Sequence, residues 1–185
     1  MRQAQVAALI LAIPAVALAA SPAEGDEAMD AAAAAFYRVY GSFHPSSGVP
    51  DAGGRARLAP VLSARLGGLL AAAAQANTRL HARMPAAPPL LEGDIFSSHF
   101  EGATSWSLAP CRAEPARCVA TLTFVPRSQG GKPVTWPVTW KDTLYLVRDG
   151  GQWRADDVGY DAALAGGNSG RLSQTLAAAI RMAAF

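Results

Sequence analysis

The most regular pattern of apolar and polar positions lies between Trp140 and Tyr160, in the sequence WKDTLYLVRDGGQWRADDVGY. β-Branched and aromatic residues crowd both arms of this segment, a composition typical of strands. Between the arms stands Asp149-Gly150-Gly151, and these residues tolerate the positive φ angles that a tight hairpin requires. The segment therefore predicts two antiparallel strands joined by a short turn.

The second arm of this hairpin departs from strict alternation. Trp153 and Ala155 share one parity along the strand. Val158 and Tyr160 share the other, so the apolar phase changes at Asp156-Asp157. One extra residue, a β-bulge, accounts for the change. It also predicts a strongly curved sheet, because bulges bend a strand and increase its twist.

Apolar residues spaced by three and four predict a first helix near the beginning of the chain. This helix is expected to begin after a cap at Gly25 or Asp26 and to end at about Phe43. Its predicted buried stripe is Met29, Ala33, Phe36, Tyr40 and Phe43. The segment SSGVPDAGG, residues 46–54, is predicted as an exposed loop because glycine, proline and serine favour turns.

A second helical region is predicted to begin around Leu58, with Pro60 in its first turn, and to end before Pro85. Gly67-Gly68 interrupts its apolar stripe, and each glycine costs up to about 1 kcal/mol in a helix. We expect either a kink there or a short helix followed by a long one. A closing helix is predicted over Arg171–Met182.

The region between these helices favours extended structure, with a first strand over Ala103–Leu108 and a second over Cys118–Val125. The segment PVTWPVTW, residues 133–140, is predicted as an edge, a bend or a bulge, because Pro137 cannot donate a ladder hydrogen bond. Helices followed by antiparallel strands are typical of an α+β fold. We expect N-terminal helices packed on a curved antiparallel sheet of about four to five strands, then a C-terminal helix, in a single domain over residues 28–185.

The beginning of the chain has the layout of a cleavable secretory signal peptide. Arg2 precedes an apolar run, Val6–Leu18, which ends in the small-residue motif Ala17-Leu18-Ala19. The run is too short to span a membrane. We therefore predict a signal peptide over residues 1–19, a flexible leader over residues 20–27, and an exported, periplasmic protein without a membrane span.

The nearly neutral net charge of the chain argues against some classes of binding partner. The chain has 16 basic and 14 acidic residues, and loss of Arg2 with the signal peptide leaves 15 against 14. The basic residues form no run, which argues against nucleic acid and against an anionic membrane surface. A small apolar ligand, or a protein of the cell envelope or a toxin, fits this balance better.

Two cysteines, Cys111 and Cys118, stand close together in the sequence LAPCRAEPARCVATL. An even count in an exported protein favours a disulfide. A redox-active pair would normally have C-x-x-C spacing, and a metal site would need further ligands. We predict a structural disulfide, no metal and no cofactor.

Three segments carry a resemblance to a known family: FYRVY (residues 36–40), EGDIFSSHFEGATSW (residues 92–106) and the hairpin segment, residues 140–160. Together they resemble exported bacterial proteins grouped as domain of unknown function 3828. Such proteins are similar to the cone-shaped α+β fold shared by ketosteroid isomerase and nuclear transport factor 2. The resemblance implies this fold, but no particular activity, since the fold hosts enzymes, binding proteins and scaffolds alike.

The histidines give little support for catalysis. His44, His81 and His99 have no metal-ligand spacing between any pair. Ser97 and Ser98 stand beside His99, and a Ser-His-Asp triad can be assembled from residues distant in sequence. The G-x-S-x-G elbow is absent from the sequence, so nucleophilic catalysis is not favoured and no catalytic residue is assigned.

An isomerase-like enzyme would need a buried acid with a raised pKa inside the cone. Asp94, Asp142 and Asp157 are the candidates. Each has a simpler structural role, respectively as a cap, as a charge at a strand end and as a bulge residue. The enzyme therefore remains the alternative hypothesis.

Aromatic residues of the predicted sheet are the candidate binding residues: Trp106, Trp136, Trp140, Trp153 and Tyr160. If they face outward or into an open cone, they form a surface for an apolar ligand or a partner. Filling the core of a small domain is the more common role for such residues. Trp136 and Trp140 flank Pro137 and are predicted to be partly exposed, because an edge with proline cannot be fully buried in a ladder.

The sequence favours an exported binding or interaction protein of unknown specificity over an enzyme. One specific form is an immunity-type inhibitor that neutralises a toxin in the periplasm. The alternative is a pocket enzyme of the isomerase or dehydratase kind that uses a buried aspartate. A deep cone with an acid facing its interior would favour the enzyme, and a filled cone with an exposed aromatic edge would favour the binding protein.

Overall fold

The computed structural model describes residues 22–43, 48–126 and 136–184. The helices and strands are α1 Pro22–Phe43, α2 Ala52–Leu58, α3 Ala64–Arg83, β1 Ser105–Leu108, β2 Arg112–Ala113, β3 Ala116–Phe124, β4 Val138–Asp149, β5 Gln152–Gly159 and α4 Leu172–Met182. The predicted signal peptide, residues 1–19, lies outside the described residues, and so does His44.

The five strands form one open antiparallel sheet. β1, β3, β4 and β5 lie side by side in this order. β2 pairs with the first residues of β3 and so continues the β1 side of the sheet. The predicted α+β class, with N-terminal helices, an antiparallel sheet and a C-terminal helix, is confirmed.

The predicted hairpin and its bulge are both present. Gly150 and Gly151 form the turn with φ of 59° and 80°, the positive values required at both positions of a type I′ turn. Tyr145 of β4 lies opposite Asp157 of β5. The next residue, Leu146, lies opposite Ala155, so Asp156 is the extra residue of a bulge.

One face of the sheet is filled by helix α1. On β4, alternate residues point towards the helices and are buried: Trp140, Asp142, Leu144 and Leu146. Helix α1 contacts β1, β3 and β5, and its Phe36, Tyr37 and Tyr40 are fully buried. Burying a side chain such as that of Phe36 contributes about 1.5–3 kcal/mol. The inner face of the sheet is therefore a packed core.

Helix α3 is not interrupted by its glycines. Gly67-Gly68 lies inside α3, so the alternative that the helix divides at these residues is wrong. The helical region is instead divided at residues 59–63, where Leu62 forms a bridge to β5 and Ser63 accepts the N–H of Leu66 at 3.0 Å. An N-cap and a strand contact set the boundary, whereas the glycines lie where an added Cβ would meet open space.

The segment before α2 also differs from its prediction. Residues 52–54, predicted as part of an exposed loop, belong to α2. Asp51 accepts the N–H of Gly54 at 2.7 Å and so caps this helix. A good N-cap thus outweighs the low helix propensity of Gly53-Gly54.

Helix α1 begins at Pro22, and residues 22–27 of the predicted leader are therefore helical. Proline is favoured at a first helical position because its missing N–H would have no intrahelical partner there. Among the described residues, no helix combines the length and the apolar character that crossing a membrane requires.

The segment after Pro137 lies at a local sheet edge, as predicted. Val138–Trp140 pair with β3, whereas the pairing of β4 with β5 begins only at Thr143. Pro137 precedes the strand and does not have to donate to the ladder. The bounds of two strands differ from prediction: β1 begins at Ser105 rather than Ala103, and β3 spans Ala116–Phe124 rather than Cys118–Val125. The two-residue strand β2 was not predicted.

Candidate functional site

The three acids singled out from the sequence are all buried in the structure. Asp94 is 1 %, Asp142 0 % and Asp157 3 % exposed. Their surroundings decide whether they form a reaction site or stabilise the fold. Each accepts hydrogen bonds from groups that belong to different parts of the chain.

Asp94 lies beneath helix α1. Its carboxylate accepts the hydroxyl of Tyr40 at 2.6 Å and the N–H of Phe96 at 2.8 Å. Burial raises the pKa of Asp94 to about 7, although the bonds from Tyr40 and Phe96 oppose the increase and nearby Asp142 adds to it. Burial likewise raises the pKa of the Tyr40 hydroxyl, which keeps it protonated and able to donate.

Asp142 is the most completely hydrogen-bonded of the three. It accepts the N–H and the hydroxyl of Ser98, the indole N–H of Trp140 at 3.0 Å and the N–H of Asp161 at 3.2 Å. Burial raises its pKa, and these donors oppose the shift. The carboxylate therefore ties the loop before β1 and the segment after β5 to β4.

Asp157 connects β5 to the beginning of α4. It accepts the N–H and the hydroxyl of Ser173 at 2.9 and 2.6 Å, and the N–H of Val158 at 3.0 Å. Arg171 lies 3.9 Å from the same carboxylate. All three acids thus hold structural hydrogen bonds, and none lines the two cavities described below.

The exposed aromatic surface lies at the end of the sheet where β3 ends and β4 begins. We call it the aromatic end and define it by His99, Phe100, Phe124, Val125 and Trp136. Trp136 is 89 %, Val125 48 % and Phe100 45 % exposed. Large apolar side chains that are exposed are candidates for an interaction surface.

Stacking and hydrogen bonds hold the aromatic end in place. The His99 ring stacks on Phe124 and Trp140, with centroids 4.9 and 5.3 Å apart. The Nδ1 atom of His99 accepts the N–H of Glu101 at 3.2 Å. Thr104 accepts the N–H of Val125 at 3.0 Å, which attaches the loop before β1 to the end of β3.

The five aromatic residues predicted to bind are not brought together. Trp136 is exposed, as predicted, but Trp140 is only 3 % exposed, so its predicted partial exposure is wrong. The Trp140 side chain lies on the inner face of the sheet, where its indole N–H donates to Asp142. A sheet edge leaves backbone groups unpaired, but it does not change which face a side chain points to. Trp136 and Trp140 therefore lie at the same end of β4 but in different environments.

The other three lie elsewhere. Trp106 of β1 is half-buried and packs on Tyr37 at 5.5 Å between centroids. Tyr160 is 8 % exposed and donates to the carbonyl of Ile95 at 2.6 Å. Trp153 of β5 is half-buried, and the guanidinium of Arg148 lies 4.7 Å from its ring centre.

Trp153 lines a shallow apolar groove of about 420 Å³ between α1 and the β4–β5 turn. The residues around it include Ala28, Ala31, Ala32, Ala35, Pro60, Val61 and Arg148. The indole N–H of Trp153 is buried and has no hydrogen-bond partner among the described residues. This groove is the second candidate for binding.

Reasoning from sequence did not place His99, Phe100, Phe124 and Val125 in a binding surface. Phe100, for example, is 45 % exposed. One usable signal was that Phe124-Val125 ends a strand just before the segment that contains Trp136 and Pro137. The stack of His99 on Phe124 joins distant residues and has no local signature.

The predicted disulfide joins Cys111 and Cys118, whose Cα atoms are 4.2 Å apart. Asp30 lies beside them, and the three together resemble a metal-ligand cluster. The two sulfurs are bonded to each other, however, and Asp30 accepts the N–H of Cys111 at 2.8 Å. The bonded pair leaves the carboxylate as the one ligand of this cluster able to bind a metal.

No protein-family model matches the chain, and no curated protein and no solved structure matches it.

Proposed function

We propose that this is an exported binding protein that recognises a partner protein through the aromatic end. The exposure of Trp136 is the observation that carries the proposal, since 89 % of this large side chain is in contact with solvent. Exposed apolar area costs roughly 25 cal/mol per Å² relative to burial, so such a side chain favours being covered by a partner. Tryptophan is also enriched among the residues that dominate binding energy at interfaces.

The form of this surface favours a protein over a small ligand. Small molecules bind in concave pockets that enclose most of their surface. Trp136, Phe100 and Val125 are instead presented outward at the end of the sheet. A protein interface usually has an apolar centre with polar residues around it, and the nearby residues Glu101, next to Phe100, and Thr139, three positions after Trp136, are exposed.

The filled core supports a binding role over the enzyme alternative. The inner face of the sheet is occupied by Phe36, Tyr37 and Tyr40. Asp94 and Asp142 are buried in this core, and their carboxylate oxygens accept hydrogen bonds from other residues of the protein. An isomerase-like reaction would need a substrate cavity beside one of these acids.

Export rests on the signal-peptide pattern of residues 1–19. Within an exported, periplasmic role, an immunity-type inhibitor of a toxin remains the specific form of this proposal. The resemblance of the chain to exported proteins of domain of unknown function 3828 is compatible with an inhibitor role, but it does not favour this role over other binding roles.

The proposal is tested by affinity capture from envelope extract with the unaltered protein and with Trp136→Ala. We expect at least one protein to be retained by the unaltered protein and lost with Trp136→Ala. Met84→Ala is the matched control, because Met84 is 53 % exposed at the end of α3. Retention of the same proteins by all three would contradict the proposal.

A small apolar ligand in the Trp153 groove is the second candidate function. The buried indole N–H without a partner among the described residues is the observation that favours it. Ala32→Leu would narrow this groove while leaving the aromatic end unchanged. Loss of a co-purifying small molecule from this variant supports the groove, and retention of the same molecule opposes it.

A further inference from the structure

The disulfide hairpin carries an unusual pair of charges. Arg112 of β2 lies directly opposite Arg117 of β3. Like charges at directly opposed positions of an antiparallel pair destabilise the pairing. Neither arginine forms an ion pair with any acid of the described residues. Glu114 in the intervening turn is exposed, and Asp30 is hydrogen-bonded to the N–H of Cys111.

The covalent bond holds this arrangement in place. The register that pairs Arg112 with Arg117 sets Cys111 opposite Cys118, one residue along each strand. Successive side chains of a strand point to opposite faces. Cys118 is fully buried on the core side, so the disulfide closes the hairpin from within and the arginines project on the outer face.

A cavity lies beside the two arginines. Its volume is about 540 Å³, and it is lined by Ala109, Pro110, Cys111, Arg112, Arg117 and Val119. This size is within the range of small-molecule sites and exceeds what an inorganic anion needs. The two arginines would bind an oxyanion, and the apolar side chains beside them would contact an apolar group. A ligand that fits this cavity therefore carries both.

We propose that this hairpin is a binding site for a small amphipathic anion. The phosphate, sulfonate or carboxylate of the ligand is bound between the guanidinium groups of Arg112 and Arg117, whose planar donors match oxyanion geometry. The apolar group of the ligand rests on Pro110 and Val119. The anion offsets the repulsion between the arginines, which is why the site favours occupation.

The site is independent of the aromatic end. The arginine pair lies at the first residues of β3, whereas the aromatic end begins at Phe124, the last residue of the same strand. Tyr145 of β4 lies opposite Arg117, and the guanidinium of Arg171 lies 3.9 Å from the ring centre of Tyr145.

The test is a titration with phenyl phosphate, followed by amide NMR shifts and by calorimetry. We expect saturable binding with shifts confined to residues 109–119 and Tyr145. Inorganic phosphate should bind about fivefold more weakly, because it lacks the apolar group. Phenol should not compete. Equal affinity for both phosphates, or shifts spread over the whole protein, would overturn the proposal.

Variants separate binding from folding. Arg112→Gln and Arg117→Gln should each weaken phenyl phosphate binding about tenfold, the effect of losing one charge-assisted contact. Arg79→Gln, at an exposed position of α3, is the matched control and should bind normally. Removing one of two like charges should keep or raise the urea midpoint, so lost binding cannot be attributed to unfolding. Equal binding by all three variants contradicts the proposal.

Discussion

At the scale of single residues, the buried carboxylates differ in how fully their oxygens are bonded. Asp142 accepts from Ser98, Trp140 and Asp161, whereas Asp94 accepts from Tyr40 and Phe96. A buried acid with many donors is stabilised as a carboxylate, and one with fewer donors favours protonation. Burial raises the pKa of both carboxyl groups, so both favour stability at low pH, and they differ in how many donors a substitution would leave without an acceptor.

Replacing Asp142 with Ala should destabilise the protein by about 3 kcal/mol. The substitution leaves the N–H groups of Ser98 and Asp161 and the indole N–H of Trp140 buried without their acceptor. Urea unfolding measures the change in the free energy of unfolding. Glu101→Ala is the control at an exposed acid and should change it by less than about 0.5 kcal/mol. A loss below about 1 kcal/mol for Asp142→Ala would mean that water replaces its role.

The raised pKa of Asp94 predicts that the free energy of unfolding falls as pH rises. Its pKa is raised from 3.8 to about 7 in the folded protein, chiefly by burial. The folded state then binds more protons than the unfolded state between these values, so stability is fully present below about pH 4 and declines as pH rises through 7. The decline attributable to Asp94 is at most about 4 kcal/mol.

The measurement for Asp94 is the urea midpoint between about pH 4.5 and 8.5, for the unaltered protein and for Asp94→Asn. Asparagine does not titrate, so the variant should show a flatter dependence on pH. The comparison also separates Asp94 from Asp142, whose pKa is shifted in the same direction. Parallel curves for the two proteins would show that Asp94 is not the source of the slope.

At the scale of elements, the bulge residue Asp156 joins the sheet to helix α3. Its carboxylate accepts the hydroxyl of Ser63, the N-cap of α3, at 2.5 Å and the guanidinium of Arg65 at 2.7–3.0 Å. Burial alone would raise the pKa of Asp156, but the bonds from Arg65 and Ser63 lower it. The extra residue in β5 thus positions a carboxylate at the beginning of a helix, where negative charge is favoured.

Asp156→Ala should therefore destabilise the protein by about 1–2 kcal/mol, through the loss of the cap contact and of the Arg65 pair. Thermal or urea unfolding measures the change. Glu92→Ala is the matched control, because Glu92 is an exposed acid in a loop. If the two variants unfold at the same midpoint, Asp156 does not anchor α3.

The same elements explain which features could be predicted from sequence. The hairpin and its bulge have local signals: Gly150-Gly151 at the turn and a change of apolar phase at Asp156-Asp157. The boundary of α3 has a local signal in its N-cap, Ser63, but it also depends on Leu62 meeting Ala155 of β5, far along the chain. The low helix propensity of Gly67-Gly68 does not end α3, which continues through both residues.

At the scale of the whole molecule, the end of the sheet has a buried tryptophan, Trp140, and an exposed one, Trp136. The position of Pro137 predicted exposure of both tryptophans that flank it, which is right for Trp136 and wrong for Trp140. The burial of Trp140 and the stacking of His99 on it depend on packing across the sheet, which no local pattern records. The sequence thus predicted the exposed residue of the candidate site, Trp136, but not His99 and Phe124, which stack on each other.

Trp136 and Trp140 form a matched pair that separates these two roles. Trp140→Ala should destabilise the protein by about 3–5 kcal/mol, because a buried indole is replaced by a cavity and Asp142 loses a donor. Trp136→Ala should change the free energy of unfolding by less than about 0.5 kcal/mol, because the side chain is 89 % exposed.

Urea unfolding of the two variants, with tryptophan emission recorded on the folded proteins, measures this contrast. Loss of Trp136 should remove the emission of a solvent-exposed indole and leave the unfolding midpoint unchanged. This result is what the proposed role of Trp136 in contact with another molecule predicts. A stability loss above about 1 kcal/mol for Trp136→Ala would instead place this side chain in the core and remove the basis of the aromatic end as a binding surface.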